Sequence, residues 1–485
     1  MITWGGVPFS PTENDLAEEA LPACSRAALL LPSVSNTLPL TGRLSGARQA
    51  LNSKVMTEYP LPLAFTPPPP ETLEQANIPA PLVTDLVVRR LYIEGVSSLF
   101  GLCGSLKLPH RLIEEVFSSL RRQQLIEVKG LVGEDYSFTL TNAGHRLAMN
   151  RRRITQYAGP APVSIHDYDI AVRRQAAKLS LNRPMLAEAL SDLVVTEALL
   201  DQLGPALVSQ KSLFLYGPTG NGKTSVAERL RRVYQDAVLV PYAVEVDGQI
   251  IAVYDPVVHE KIGDTDSRID PRWVGCRRPL ILVGGELTPQ MLELRLDAAS
   301  QIYAAPLQMK ANNGILVIDD FGRQVISPRK LLNRWILPLD RRVDYLSLGY
   351  GVKFQIPFEL MVVFSTNLDP RDLADEAFLR RIHNKIFVEP VTAEVFEAIF
   401  DRVLKERGIR SEMGSASVLR NLCAQLGGPE LRACYPGDIC DVIQSIKAFE
   451  GEPMEISRND LDRAARLYFA RPQDGSEVIP SRAVI

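Results

Sequence analysis

The central part of the chain is predicted to be an α/β fold whose short buried strands end in polar, chemistry-bearing residues, and three observations carry that prediction. An apolar run, Ser212–Tyr216, feeds directly into the octapeptide Gly217-Pro218-Thr219-Gly220-Asn221-Gly222-Lys223-Thr224. A second run, Gly314–Ile318, ends in the paired acids Asp319 and Asp320. A third, Leu360–Phe364, runs into Ser365-Thr366-Asn367. Runs this short and this apolar are the pattern of strands buried on both faces.

The octapeptide fits GxxxxGK[ST] between a strand and a helix expected over Thr224–Tyr234. Its glycines let backbone amides turn inward around phosphate oxygens, and the helix amino terminus adds a favourable dipole. Lys223 then reaches the β- and γ-phosphates, and Thr224 offers a hydroxyl to Mg²⁺. Buried strands tolerate adjacent acids poorly unless something compensates the charge. At a strand's carboxyl end, where α/β sheets bind ligands, the pair has a use. Asp319 suits Mg²⁺, directly or through water, and Asp320 suits polarisation of an attacking water. Asn367 suits a hold on the γ-phosphate or on that water.

Length and composition bound the rest. A chain of 485 residues suggests two or three domains. The hydrophobic share of 46% and charged share of 23% fit globular protein, and a net charge of −3 leaves no chain-wide field for nucleic acid or membrane. No apolar run reaches the roughly 18 residues of a membrane span. Met1–Thr12 has neither a basic start nor an apolar core, so no secretion signal is expected. Six scattered cysteines without CxxC spacing, and no HExxH, argue against a disulfide frame or a zinc site and for a reducing cytoplasm.

The expected organisation follows composition. Residues 1–81, ending near Thr66-Pro67-Pro68-Pro69-Pro70, read as a flexible or loosely draped arm. Residues 82–150 read as a small α+β domain. A helix begins near Leu82, and another spans Pro109–Gln123 with Leu112, Ile113, Val116, Phe117 and Leu120 at helical spacing. Strands at Leu125–Val128 and Tyr136–Leu140 and a helix start at Thr141 complete it. A linker over 151–183, a nucleotide-binding domain over 184–390, a helical part over 391–470 and a tail over 471–485 follow. Between the two acid- and phosphate-bearing segments, Tyr242–Tyr254 reads as a hairpin around Asp247-Gly248. Trp273, Arg277 and Arg278 beyond it either grip a substrate or pack the insert, with packing favoured.

The ordered phrases GPTGNGKT, ILVIDD, FSTN and AFLRRIHNKIFV resemble the Walker A, Walker B, sensor 1 and arginine-finger segments of AAA+ ATPases. The resemblance implies a five-stranded parallel sheet in an αβα sandwich, with a C-terminal helical lid. It also implies ATP and Mg²⁺ as cofactors and a ring homo-oligomer, usually a hexamer, with nucleotide at each subunit boundary. Arg381, or alternatively Arg380, is then the finger that reaches a neighbour's γ-phosphate. Clp-type unfoldases, in which the second of two such arginines has that role, favour Arg381. Two departures stand out: Walker B ends in Asp-Asp, and no arginine stands in Tyr435–Asp441 where relatives place sensor 2, Arg432 being the nearest.

The module also resembles bacterial predicted chaperone-like ATPases associated with Flp pilus assembly, and residues 82–150 resemble a winged helix. Together these imply a bacterial cytoplasmic ATPase that remodels or assembles a protein partner. The alternatives are an ATP-dependent regulator that binds DNA through the winged helix, and a nucleotide-sensing scaffold with slow hydrolysis. Glu114 and Glu115 on the would-be recognition helix put protein docking ahead of DNA, against the basic Arg121-Arg122 and Arg151-Arg152-Arg153.

Overall fold

The computed structural model describes residues 61–469 apart from Glu134, Asp264, Thr265 and Ala374. The expected arm over residues 1–60 and the tail over 471–485 lie outside the described residues. The last stretch of that arm, residues 61–81, is packed rather than loosely draped. Ala237 N donates to Pro62 O at 3.0 Å and Asp270 N to Pro67 O at 2.8 Å. Phe65 stands edge-on to Trp273, ring centroids 6.2 Å apart, and buried Arg272 donates to Ala76 O at 2.9 Å. A proline run has carbonyls but no N–H of its own, so it binds wherever other elements supply donors.

Helix α1 (Ala80–Glu94), β1 (Val96–Ser98), α2 (Leu99–Leu106), α3 (His110–Arg122), β2 (Ile126–Val132), β3 (Asp135–Leu140) and α4 (Asn142–Ile154) build an N-terminal helical domain. Its strands form an antiparallel sheet in the order β1-β3-β2. All five apolar residues predicted for one face of α3 are buried. Thr141 caps α4, its Oγ1 accepting from Gly144 N at 3.1 Å. Position 144 excludes a side chain, because a Cβ there would lie 2.1 Å from Leu125 O. Arg151, Arg152 and Arg153 form the last turn of α4, where the helix dipole favours cations, and do not open a linker.

Four helices and two strands come next: β4 (Val163–Ser164), α5 (Ile165–Arg174), α6 (Arg183–Ala189), α7 (Glu197–Ser209), β5 (Leu213–Tyr216) and α8 (Lys223–Arg229). An insert then contributes β6 (Ala237–Pro241), β7 (Ala243–Val246), β8 (Gln249–Ala252) and β9 (Trp273–Arg277). Asp247 and Gly248 turn between β7 and β8 with φ of 50° and 76°, the backbone an Asp-Gly hairpin needs. After β10 (Leu280–Val283) come β11 (Arg295–Asp297), β12 (Ile302–Ala304) and α9 (Leu307–Lys310). A mixed sheet, β11-β12-β8-β7-β4, joins the insert to the segment after α4. Ala243 and Ile250 of the insert sit in the core of the N-terminal helical domain. Trp273 is buried, and buried Arg278 pairs with Asp236 at 2.6 Å and donates to Asn313 O at 2.8 Å, so both pack the insert.

The remaining elements are β13 (Ile315–Ile318), α10 (Pro328–Arg341), β14 (Val343–Ser347), β15 (Lys353–Pro357), β16 (Met361–Thr366), α11 (Pro370–Leu373), α12 (Glu376–Leu379) and β17 (Asn384–Phe387). A five-stranded sheet, wholly parallel, runs β10-β13-β16-β5-β17. Its strands alternate between two cores, which is why they read as continuous apolar runs. Phe214, Leu316, Ile318, Val362 and Phe364 face Leu331, Leu332 and Trp335 of α10. Leu213, Leu215, Ile315, Val317, Met361 and Val363 face residues of α6, α7 and α8. A C-terminal unit of α13 (Ala393–Arg407), α14 (Ser415–Leu426), α15 (Tyr435–Glu450) and α16 (Arg458–Tyr468) has its own core around Phe396, Phe400, Ile439 and Leu461. No helix of the described residues is long and apolar enough to cross a membrane.

Candidate functional site

Parallel register gathers the predicted residues on one edge of the sheet. Tyr216 pairs with Thr366, and Ile318 with Phe364. Gly217 and Asn367, the residues after β5 and β16, therefore leave the sheet side by side at its carboxyl edge, and Asp319, after β13, leaves it level with Ser365. That edge is where open α/β sheets bind ligands.

The loop after β5 needs its glycines. Gly217, Gly220 and Gly222 have φ of 136°, 78° and 81°. A Cβ at Gly217 would meet Val388 O at 2.4 Å, and one at Gly220 would meet Cys434 Sγ at 2.6 Å. Lys223 opens α8 and is 8% exposed. Its ammonium donates to Gly217 O at 2.9 Å and Pro218 O at 2.8 Å, arching back over the loop. Burial pushes the Lys223 ammonium below the usual lysine range, and Asp319 and Asp320 pull against that. Thr224 Oγ1 lies 3.0 and 2.9 Å from the two carboxylate oxygens of Asp319. A hydroxyl and a carboxylate thus share one spot, a hard oxygen donor set of the kind that suits Mg²⁺.

Asp320 is exposed and has φ of 48°, left-handed backbone that is uncommon for any residue but glycine. Buried Gln324 holds it there. Gln324 Nε2 donates to Asp319 O at 2.7 Å and to Asp320 O at 3.1 Å, while its Oε1 accepts from Gly322 N at 2.9 Å. Two further bonds fasten this loop to β16: Phe321 N donates to Ser365 O at 2.7 Å and Thr366 Oγ1 to Phe321 O at 2.7 Å. Thr366 Oγ1 also accepts from Leu368 N at 3.1 Å. Half-exposed Asn367 is held between these anchors.

The C-terminal helical unit reaches the same loop. Arg432 Nη1 donates to Thr219 Oγ1 at 3.1 Å, Ala433 N to Asn221 Oδ1 at 3.3 Å and Cys434 N to Gly220 O at 2.9 Å. Arg432 thus touches the glycine-rich loop after β5 although Tyr435–Asp441 holds no arginine. The two arginines after α12 part company. Arg381 Nε pairs with Asp340 Oδ2 of α10 at 2.8 Å, whereas Arg380 is exposed with no ion pair among the described residues.

Comparison with known proteins adds little. A family model described as a domain of unknown function (DUF8689) matches residues 392–467, the C-terminal helices alone. No curated protein matches the chain in sequence. Among solved structures, NtrX from Brucella abortus is similar at 13% identity and a TM-score of 0.38, over 59% of this chain and 57% of that one. Thermotoga maritima RuvB, a Holliday junction branch migration motor, is similar at 12% identity and 0.33, over 60% and 72%. A RuvB variant reaches 14% and 0.36, over 58% and 73%.

Gln324 and Asp340 were missed by sequence reasoning. A glutamine near a turn carries no pattern, and the partner of Arg381 lies 41 residues upstream. Only the phrase DDFGRQ, a tight turn holding one amide side chain, could have drawn attention to Gln324.

Proposed function

We propose that the chain is an ATPase of the AAA+ kind. The observation that carries this is the meeting of the Thr224 hydroxyl with the Asp319 carboxylate beside the buried Lys223 ammonium, at the carboxyl edge of a parallel sheet. Lys223 exchanges its two loop carbonyls for β- and γ-phosphate oxygens, and the loop amides and the α8 dipole support the rest of the chain of phosphates. Thr224 and Asp319 would hold Mg²⁺, which when bound neutralises charge on the phosphates. Asp320 orients the water that attacks the γ-phosphorus, and Asn367 steadies it. ADP leaves, and phosphate carries the oxygen of that water.

The N-terminal helical domain is read as a winged helix and α13–α16 as the lid, whose Arg432 senses the loop from the lid side. An arginine after α12 completes the site of a neighbouring subunit in a ring. Arg380, exposed, is better placed for that than Arg381, whose guanidinium is engaged by Asp340. A protein is the favoured partner: the exposed face of α3 carries Glu114 and Glu115 beside Arg111, an unhelpful mixture against phosphates.

Two substitutions test this reading. Lys223→Ala is expected to abolish ATP binding while the melting temperature stays near the parent's. Asp320→Asn is expected to bind ATP with parental affinity and to release no phosphate. Parental binding by the first, or parental turnover by the second, would remove that residue from the site.

A further inference from the structure

Positive charge at the junction of α1 and α4 exceeds what its carboxylates neutralise. Arg89 is 1% exposed; its Nε donates to Asp85 O at 3.2 Å and its Nη1 to Thr155 O at 3.2 Å, and its Nη2 has no partner among the described residues. The Asp85 carboxylate nearby is also claimed by Arg151, whose Nε lies 3.0 Å away. Burial lowers the Arg89 pKa, Asp85 opposes that, and Arg151 adds to it. Arg152 stacks its guanidinium 5.1 Å from the Tyr92 ring centroid. Neither Arg152 nor Arg153 has an ion pair among the described residues.

Those last two arginines line a cleft of about 410 Å³ between α4 and the β11–β12 turn, together with Tyr92, Met149, Gln156 and Gln301. The turn is fixed: Gln156 N donates to Ser300 O and Gln156 Nε2 to Ala299 O, both at 2.8 Å. No Asp or Glu lines the cleft. The nearby Asp297 carboxylate is turned to its own loop, accepting from Ala299 N at 3.3 Å and Ser300 N at 3.2 Å. A helix C-terminus favours arginines in its last turn, but that does not account for a wall without acids beside them.

We propose that this cleft binds a small phosphate-bearing anion, gripped by Arg152 and Arg153 with Tyr92 and the two glutamine amides around it. Planar guanidiniums match phosphate oxygens in pairs, and the volume is on the scale of small-ligand sites, roughly 300–1,000 Å³. A ligand there touches both α4 and the β11–β12 turn, and so bridges the N-terminal helical domain to the insert.

Inorganic pyrophosphate is the probe, titrated calorimetrically into the full chain carrying Lys223→Ala, which disables the phosphate loop as a competing site. One binding event is expected, weakened at least about tenfold by joint Arg152→Ala and Arg153→Ala substitution, since each removed guanidinium takes charged hydrogen bonds with it. Joint Arg152→Lys and Arg153→Lys substitution should retain part of the affinity. Arg153→Ala alone, at an exposed position, serves if the double variant does not fold. Absence of binding, or affinity unmoved by these substitutions, overturns the proposal. So does a single-stranded oligonucleotide that binds through these arginines when pyrophosphate does not. Loss of nucleotide binding at the phosphate loop leaves the outcome unchanged, because the loop is already disabled.

Discussion

Gln324→Ala should slow hydrolysis without weakening ATP binding. The side chain makes three hydrogen bonds, to Asp319 O, Asp320 O and Gly322 N, all within the loop that presents Asp320. At about 1 kcal/mol net each, they contribute about 2–3 kcal/mol to that one conformation. The φ of 48° at Asp320 works the other way, at a cost of about 1–2 kcal/mol for a residue with a side chain. Without the amide, the strained form loses its support, and a bias of about 2–3 kcal/mol corresponds to a factor of about 30–150 in its population. A misplaced catalytic group has a comparable effect on rate, of order 10² for about 1 Å. kcat should therefore fall about 30–150-fold. The ATP dissociation constant should hold within about twofold, because Lys223, Thr224 and the loop glycines are untouched. Phosphate release under saturating ATP gives the first quantity and titration with a fluorescent ATP analogue the second. A parental kcat would refute the argument that Gln324 positions Asp320. Equal losses in kcat and affinity would show general damage to the site instead.

The two arginines after α12 should separate. Arg380→Ala is expected to lower turnover by roughly 10³ or more while ATP still binds, the scale of an arginine finger; Arg381→Ala, which breaks a half-exposed pair, should cost less than about 1 kcal/mol of stability. The reverse ranking in turnover would return the role to Arg381, and mixed rings of Arg380→Ala and Asp320→Asn subunits that recover no activity would refute a shared site. Stability should also fall in mild acid through His259. This ring is buried, accepting from Asp255 N at 2.9 Å and lying 2.9 Å from Lys310 O. Burial holds its pKa below the usual 6.5. The stabilisation is thus complete above about pH 6.5 and is lost as pH falls below it, since the unfolded chain takes up the proton first. Melting temperatures between pH 5 and 7.5 should drop more steeply for the parent than for His259→Asn.

What could be read in the sequence and what could not divides along chain distance. The glycine-rich loop after β5 is contiguous, and its glycines, lysine and threonine suggest their proposed roles by residue type. Asp319, Asp320 and Asn367 were legible because each ends an apolar run, and a parallel sheet brings run-ends to a common edge. The Asp247-Gly248 hairpin needed only two neighbouring residues. By contrast, β4 is two residues long and pairs with β7 across the whole stretch from α5 to β6, and α2 carries two glycines that weaken any helical signal. Neither leaves a period to detect. Residues 61–81 looked loose because prolines form no regular element, yet their carbonyls are what Ala237, Asp270 and Arg272 bind.

The lead-in to the acid strand makes the same point at close range. Asn312-Asn313-Gly314 looks like a turn, and Asn313 does have φ of 64°. Its work lies far away in sequence. Asn312 Nδ2 donates to Tyr168 OH at 2.8 Å, 144 residues upstream, and Asn313 Nδ2 to Val172 O at 2.8 Å. Glu359 N donates to Asn312 Oδ1 at 2.9 Å just before β16. A Cβ on Gly314 would lie 2.0 Å from Pro279 O, at the start of β10. Three strands of the central sheet are therefore set against α5 by two amide side chains and one missing side chain. The placement of Asp319 and Asp320 depends on that node as much as on their own strand. Residue type announces the acids, whereas their alignment is set by partners that only the fold brings near.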